Sequence, residues 1–300
     1  MNRACLAGVT IGDGLEVAVM GVLNVSPESF YAGSVVTRGD ELLRAAERMV
    51  EAGAAFIDVG AMSTAPYLAG GISEQEEAER LAEAIHRLAT RLDVPISADT
   101  SRSAPARAAL EGGARIINDV TGLTEDRGVA RLVAEAGAGL IVMARERGGP
   151  GQGSPVESVM GLLDESLRIA AQAGVPSALI VVDPGIGFFR GRGIRWHEWD
   201  ARVLAGLRRL RDLGRPVCVG VSRKSFIGEL GGAADPSRRL PGSLAATAAA
   251  ILNGAHLIRS HDVEETLQAA RVVEAIRRAG ERESPPHPSL SPLGERVKKG

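Results

Sequence analysis

The segment PISADTSRSAPARAALEGGARIIND, residues 95–119, contains the pattern that decides the fold. The apolar run Ile96–Ala98 predicts a strand, and the alanine-rich stretch Ala104–Glu111 predicts a helix. Gly112 follows that helix, as a left-handed C-cap prefers, and Ile116–Ile117 predicts the next strand. The segment is therefore one strand–helix–strand unit.

The same alternation continues in both directions along the chain. Strands are predicted at Val17–Leu23, Phe56–Val59, Ile96–Ala98, Ile116–Ile117, Leu140–Met143, Leu179–Val182, Val217–Val221 and Leu257–Ile258. Helices are predicted at Asp40–Ala52, Ser73–Arg91, Ala104–Glu111, Gly128–Ala136, Glu157–Ala173, Glu198–Leu213, Ser243–Leu252 and Val263–Ala279. Eight strands alternating with eight helices predict an α/β fold, a (β/α)8 TIM barrel in a single domain.

An open doubly wound sheet is the alternative, because it uses the same alternation of strands and helices. Such a sheet usually carries a glycine-rich dinucleotide motif after its first strand. Here the chain reads Leu23-Asn24-Val25-Ser26-Pro27 instead, which favours the barrel.

The two ends of the chain differ from the repeating part. Residues 6–17, around Gly12-Asp13-Gly14, predict a small hairpin or lid over the bottom of the barrel. The barrel domain is expected to span residues 1–281. The remaining residues, 282–300, contain four prolines and a basic end, and they are predicted to be a disordered, dispensable tail.

Composition excludes several classes of protein. The 35 Lys and Arg residues nearly balance 37 Asp and Glu residues, so no basic surface for nucleic acid is indicated. Two cysteines cannot build a disulfide framework. The N-terminus does not resemble a signal peptide, and no apolar stretch reaches the ~18 residues of a membrane span. A cytoplasmic protein without a membrane partner is therefore expected.

Polar residues follow the predicted strands, and in a barrel these positions face a common mouth. They are Asn24, Asp58 with Ser63 and Thr64, Asp99, Asn118 with Asp119, Arg145, Asp183, Ser222 with Lys224, and Arg259 with His261. This mixture of amides, carboxylates and cations exceeds what loop composition requires. It predicts a binding site at the mouth.

The residue types indicate two halves of that site. Asp99, Asn118 and Asp183 suit the hydrogen-bonding edge of a flat heterocycle, since a buried carboxylate must meet a donor. Asn24, Arg259 and His261 lie on the first and last strands, which become neighbours in a closed barrel and would form an anion site.

Simpler roles remain open for some of these residues. Asp99 could cap the helix that begins after Thr100-Ser101, and Asp262 could cap the last helix. The glycines of the segment 183–188, DPGIGF, would let a ligand approach the backbone.

Several longer segments together resemble the dihydropteroate synthase family of pterin-binding barrels. They are MGVLNVSPESF (20–30), FIDVGAMST (56–64), PISADT (95–100), GARIINDVTGL (113–123), VVDPGIGF (181–188), VGVSRKSFIG (219–228) and GSLAATAAAILNGAHLIRSHDVEET (242–266). The resemblance implies an enzyme that joins 6-hydroxymethyl-7,8-dihydropterin diphosphate to an arylamine, usually 4-aminobenzoate. Pyrophosphate is released. It also implies Mg2+ and commonly a homodimer formed through barrel helices.

The resemblance also implies a role for each matching residue. The pterin would be held by Asp99, Asn118, Asp183 and Lys224, in a pocket lined by Met143 and Gly220. The diphosphate would be bound by Asn24, Arg259 and His261, with Asn24 also near Mg2+. The arylamine would be flanked by Thr64 and Ser222. Those expected to act in catalysis are Asn24, Asp99, Lys224, Arg259 and His261.

The arylamine half departs from the family pattern. Ala65 stands where the family usually has Arg, and Pro66-Tyr67 and Ala32 are further departures. Phe189-Arg190 replaces the usual Lys after the Gly-Phe stretch, and Ala144 replaces a common His. The lost arginine removes a possible partner for the carboxylate of 4-aminobenzoate. Candidates to replace it are Arg38, Arg145, Arg190 and Arg192.

Alternative functions follow from these departures. The enzyme could use a different arylamine, as in methanopterin-type pathways. A pterin-dependent corrinoid methyltransferase shares the barrel but needs no diphosphate site, so Arg259 and His261 argue against it. A non-catalytic pterin-binding protein is the remaining alternative.

Overall fold

The computed structural model describes residues 1–25, 35–61, 72–146, 153–191 and 193–283. The strands are β1 (Arg3–Leu6), β2 (Val9–Gly12), β3 (Ala18–Asn24), β4 (Phe56–Gly60), β5 (Ile96–Asp99), β6 (Ile116–Asp119), β7 (Gly139–Met143), β8 (Ile180–Asp183), β9 (Cys218–Gly220) and β10 (Leu257–Ser260). The helices are α1 (Val35–Glu51), α2 (Glu74–Ala89), α3 (Ser103–Gly112), α4 (Gly128–Ala136), α5 (Pro155–Gln172), α6 (Trp196–Ala205), α7 (Ser225–Gly231), α8 (Leu240–Leu252) and α9 (Val263–Glu283).

Strands β3 to β10 form one eight-stranded sheet in which all neighbouring pairs are parallel. The sheet order is β8-β7-β6-β5-β4-β3-β10-β9. A parallel bridge between Val182 and Val217 joins the two outer strands, and the Val182 amide donates to the Pro216 carbonyl oxygen at 3.0 Å. The sheet therefore closes into the predicted (β/α)8 barrel, and the open-sheet alternative is wrong.

All eight predicted strands are present, with ends that differ by two residues at most. The strand predicted at Ile116–Ile117 continues to Asp119, and the one predicted at Leu257–Ile258 continues to Ser260. The last residues of these strands are polar, so the hydrophobic pattern ends before the strand does.

The helices differ more from prediction. α1 begins at Val35, five residues earlier than expected. The sequence did not predict these first residues as helical because they include β-branched residues and a glycine, which have low helix propensity. The helix predicted at Glu198–Leu213 ends at Ala205 and is followed by a 3-10 segment, Leu207–Leu213. Helix α7 was not predicted. Its seven residues are too few for a clear helical period.

The N-terminal hairpin closes the bottom of the barrel, as predicted, but its turn lies elsewhere. The turn is at Ala7 and Gly8, both with positive φ (49° and 90°), and not at residues 12–14. Such a pair of left-handed residues matches the twist of a two-residue hairpin. Leu6 and Ile11 are fully buried among barrel residues that include Met20, Phe56, Ile116, Ile141, Val181 and Leu257.

Helix α9 continues to Glu283, past the predicted end at Ala279 and the expected domain boundary at residue 281. The rest of the predicted tail, residues 284–300, lies outside the described residues. None of the helices in the described ranges is long and apolar enough to cross a membrane.

Candidate active site

Four carboxylate or amide side chains converge inside the mouth of the barrel from four of its strands. Asp58 lies on β4, Asp99 ends β5, Asn118 lies on β6 and Asp183 ends β8. All four are buried, with Asp58 completely inaccessible. Burial of this many polar groups costs free energy unless each finds a partner. Their partners therefore define the site.

Arg259 on β10 links two of these carboxylates. Its Nε donates to Asp58 Oδ2 at 2.5 Å, and its terminal nitrogen donates to Asp99 Oδ2 at 2.6 Å. Asn118 Nδ2 donates to the same Asp58 oxygen at 3.1 Å. Charge-assisted hydrogen bonds of this kind are the stronger ones in proteins. Four strands are thus tied together at one point.

Asp58 belongs to this cluster although only its position at a strand end was noted from the sequence. Its signal was present: it is the sole polar residue in the buried strand Phe56–Gly60. Asp99 does not cap a helix. Helix α3 begins at Ser103, and its first amide donates instead to Asp126 Oδ2 at 2.8 Å. The capping alternative for Asp99 is therefore wrong.

Asp58 Oδ1 and Asp99 Oδ1 are buried and have no hydrogen-bond partner among the described residues. Burial raises the pKa of Asp99 to about 7; the Arg259 cation opposes this shift and the Asp58 carboxylate adds to it. Buried acceptors without donors are uncommon in proteins and call for an explanation. A ligand that presents N–H groups would supply it.

The opposite wall is formed by Asp183 and Lys224. Burial raises the pKa of Asp183, whose Oδ1 accepts a hydrogen bond from the Gly185 amide at 2.7 Å. Burial lowers the pKa of Lys224 to about 8, against the favourable charge of Asp183. The Lys224 ammonium lies 4.4 Å from the centre of the Phe188 ring, a cation–π contact.

Six of the predicted site residues line one cavity at this wall. The lining consists of Asn118, Val120, Met143, Asp183, Ile186, Phe188, Gly220, Lys224 and Arg259. Gly185 shapes the turn beside it, with φ of 71°, and a Cβ there would lie 2.0 Å from the Ala144 carbonyl oxygen. Gly185 is therefore required by the close packing of its backbone against Ala144, and the expected approach of a ligand to these glycines stays a prediction.

Ser222 and His261 lie together at the outer rim. Ser222 Oγ is 3.1 Å from His261 Nδ1, and the backbone amide of His261 donates to the same hydroxyl oxygen. Desolvation of the ring, and then the Arg259 cation, lower the pKa of His261 well below its usual value. The imidazole is therefore neutral near pH 7 and acts as a hydrogen-bonding group.

The loops that carry this pair are joined by an ion pair. Arg223 donates to both carboxylate oxygens of Asp262, at 2.9 and 2.5 Å. Arg223 adopts a positive φ of 55°, which is uncommon for a residue with a side chain. The carboxylate of Asp262 thus holds the two rim loops together through Arg223. Capping of the last helix was the alternative role predicted for this residue.

Asn24 ends β3, opposite Gly60, and is exposed. A Cβ on Gly60 would lie 3.5 Å from Asn24 Oδ1 and 3.6 Å from Asp99 Cβ, so the two side chains flank this glycine. An amide oxygen suits Mg2+. Over the described ranges, no group of three or more His, Cys, Asp or Glu residues could hold a metal ion.

Arg145 is not part of this assembly: it is partly exposed, and its guanidinium lies 3.7 Å from the Glu125 carboxylate. Thr64 lies outside the described residues, together with the departures at positions 32 and 65–67.

Asp200 on α6 was missed because nothing in the sequence distinguishes it from a surface helix residue. It is fully buried, and its Oδ1 accepts a hydrogen bond from the Gly187 amide at 2.9 Å. Burial raises its pKa to about 6, with the nearby Lys224 and Arg190 cations opposing the shift.

Comparison with known proteins agrees with this geometry. Residues 20–261 match the sequence model of the pterin binding enzyme family. The dihydropteroate synthase of Synechocystis sp. is 37% identical over 279 residues, covering 90% of this chain and 94% of that protein. The chain belongs to the dihydropteroate synthase family.

Solved structures of this family have the same fold. Dihydropteroate synthase of Xanthomonas albilineans with 4-aminobenzoic acid has a TM-score of 0.83 and 35% identity, covering 92% of this chain and 98% of that one. The same enzyme in complex with 7,8-dihydropteroate has a TM-score of 0.80 and 33% identity, with the same coverage. The family resemblance read from the sequence motifs is therefore confirmed.

Proposed function

We propose that the protein condenses 6-hydroxymethyl-7,8-dihydropterin diphosphate with 4-aminobenzoate, giving 7,8-dihydropteroate and pyrophosphate. The observation that carries this proposal is the buried cluster of Asp58, Asp99 and Arg259 with its two unpartnered carboxylate oxygens. The N–H groups of a pterin ring are donors of the kind these oxygens lack. Relatives that bind 4-aminobenzoic acid and 7,8-dihydropteroate support the choice of substrates.

The pterin is held at both sides of the cavity. On one side Asp99 accepts a hydrogen bond from the ring, while Arg259 holds the Asp99 and Asp58 side chains in place. On the other side Asp183 accepts and Lys224 donates, and Met143 and Gly220 lie along the flat faces. The polar edge of the ring meets charged partners in a site shielded from water, where hydrogen bonds are stronger.

The reaction needs a good leaving group more than a strong base. The bond between the pterin methylene carbon and the diphosphate oxygen breaks, a carbon–nitrogen bond to the arylamine forms, and the amine loses a proton. The electron-rich pterin shares the positive charge that develops on the methylene carbon. Catalysis then consists mostly of positioning and charge stabilisation.

The diphosphate is expected at the rim, beside Asn24, Ser222 and His261. Arg259 and Arg223 are the arginines beside the rim, but carboxylates already compensate the charge of each. This supports a requirement for Mg2+, which the Asn24 amide oxygen would help to hold. When bound, the ion would neutralise the leaving group. Neutral His261 and Ser222 would donate hydrogen bonds to the remaining oxygens.

A homodimer is the further proposal that the family resemblance suggests. Val272 and Ile276, four residues apart on α9, are 56% and 63% exposed. Residues at this spacing share one helix face, and exposed apolar patches commonly mark interfaces. The cytoplasmic location stays a prediction from the sequence.

The test is product formation from dihydropterin diphosphate and 4-aminobenzoate with Mg2+, followed by mass and by pyrophosphate release. Asp58→Asn should lower kcat/KM by about 100-fold, because charge-assisted hydrogen bonds are each worth about 1.5–3 kcal/mol. Asp93→Asn, exposed at the opposite end of the barrel, is the matched control.

Two results would contradict the proposal. Pterin binding without turnover would indicate a non-catalytic protein. Turnover with other arylamines but not with 4-aminobenzoate would favour the methanopterin-type alternative.

A further inference from the structure

We propose that Arg190 binds the carboxylate of the arylamine and so selects arylamines that carry an acidic group. The inference rests on the proposed function, because it concerns the second substrate of the same site. Four arginines are candidates to bind this carboxylate: Arg38, Arg145, Arg190 and Arg192. Two of them, Arg145 and Arg190, have described side chains.

Arg190 is held beside the site by its backbone amide and by its guanidinium. Its amide donates to Glu146 Oε2 at 2.7 Å, which fixes the chain after β8 to the chain after β7. Its guanidinium donates to Ser225 Oγ at 2.9 Å. Ser225 is the first residue of α7 and directly follows Lys224, so this bond places the guanidinium at the start of α7, one position after the lysine that lines the cavity.

A second observation places the two cations together. The buried carboxylate of Asp200 is influenced by the charges of both Lys224 and Arg190, and it accepts a hydrogen bond from the amide of Gly187, which lies against the Lys224 side chain. Arg190 therefore lies on the Lys224 side of the mouth.

Among the described residues, the guanidinium of Arg190 forms no ion pair. Across the described residues, no carboxylate oxygen lies within salt-bridge distance of its guanidinium. Its contacts are the Ser225 hydroxyl and the Trp196 ring, whose centre is 3.9 Å from the guanidinium carbon. Stacking on the ring uses the face of the guanidinium and leaves its edge, where the N–H donors point, for a planar carboxylate. A half-buried cation of this kind gains most from an anionic ligand.

Arg145 provides the contrast. It is 42% exposed and lies 3.7 Å from the Glu125 carboxylate, so its charge is already paired and screened by water. An arylamine carboxylate would gain less from this arginine.

A purely structural role is the competing explanation, since Arg190 also ties the chain after β8 to α7. The two roles differ in what they change. A structural tether affects all arylamines alike. A carboxylate partner affects only substrates that carry the acid.

The test compares 4-aminobenzoate with the neutral 4-aminobenzamide, using Arg190→Gln, the charge-retaining Arg190→Lys, and Arg145→Gln as the matched control. For Arg190→Gln we expect KM for 4-aminobenzoate to rise about 10–100-fold with kcat nearly unchanged, the range typical of one lost charge-assisted hydrogen-bonded pair. KM for 4-aminobenzamide should change less than twofold. Arg190→Lys should lie between, and Arg145→Gln should match the parent.

Calorimetric binding of both arylamines, to protein saturated with a pterin and pyrophosphate, separates this inference from the proposed function. Binding of 4-aminobenzoate that depends on Arg190, without turnover, would support Arg190 and overturn the reaction. Turnover with equal effects of Arg190→Gln on both arylamines would leave the reaction intact and overturn the role of Arg190. If Arg190→Gln fails to fold, seen as a lower melting temperature, Arg190→Lys decides. A preference for 4-aminobenzoate over 4-aminobenzamide like that of the parent would support the role of a positive charge at this position. An equal loss of binding for both substrates would overturn the inference.

Discussion

Replacing Asp200 by Asn should make the protein more stable at neutral and alkaline pH, although it removes a charged group from a hydrogen-bonded position. The side chain is fully buried, and one oxygen accepts the Gly187 amide at 2.9 Å. An asparagine oxygen can accept the same bond. The second carboxylate oxygen has no hydrogen-bond partner among the described residues, and the Lys224 and Arg190 cations offset only part of the cost of burying the charge.

The size of the effect follows from the pKa of Asp200. Burial raises it from 3.8 to about 6. At about 1.4 kcal/mol for each pKa unit, this corresponds to about 3 kcal/mol. A raised pKa means that the folded state holds the proton more tightly than the unfolded state does. Stability from this group is therefore greatest below pH ~4 and is lost as the pH rises through about 6.

The assay is urea unfolding of the parent and Asp200→Asn at several pH values between 4.5 and 8. The difference in free energy of unfolding should be small at the acidic end and should grow towards about 3 kcal/mol in favour of Asn above pH 7. Asp164→Asn, at a surface position where the side chain is 63% exposed, is the control and should show no such trend. A difference that stays constant across this pH range would refute the reasoning.

Two further substitutions test the frame around the site. Leu6→Ala should lower the free energy of unfolding by about 2–5 kcal/mol, measured in urea, because Leu6 is fully buried where the hairpin closes the barrel. A loss under about 1 kcal/mol would mean that the hairpin contributes little to stability. Ile276→Asp should halve the mass seen by light scattering while leaving the melting temperature of the barrel nearly unchanged, and an unaltered mass would place any dimer contact elsewhere.

The barrel could be predicted from the sequence because its signals are local. Runs such as Leu140–Met143 are buried on both faces of the sheet, and each is followed by an amphipathic helix. Shorter elements escaped because their signals are weak. Helix α7 has only seven residues, and Gly206 interrupts a helical pattern because a Cβ there would lie 2.5 Å from Val156 Cγ2.

The site was predictable as a set of strand-end residues but not as a network of contacts. A strand end fixes the position of Asp99 or Asn118 at the mouth. It does not show that Arg259 reaches across the barrel to Asp58 and Asp99, 201 and 160 residues away in the chain. Asp200 lies on a helix, and its burial depends on the packing of α6 against the turn at Gly187. No local pattern reports such packing.

The charges of the mouth explain why these substrates fit together. Burial raises the pKa of Asp99, Asp183 and Asp200, and it lowers that of Lys224. Each shift has the same main cause: burial penalises the charged form, which raises the pKa of an acid and lowers that of a lysine. The buried carboxylates also outnumber the two cations, Lys224 and Arg259. A ligand that enters must bring hydrogen-bond donors for the acids, as the pterin ring does. An anionic leaving group in so acidic a mouth needs its own cation, and Mg2+ bound to the diphosphate would supply it. The excess of acid thus favours a pterin and a metal-bound diphosphate as one unit.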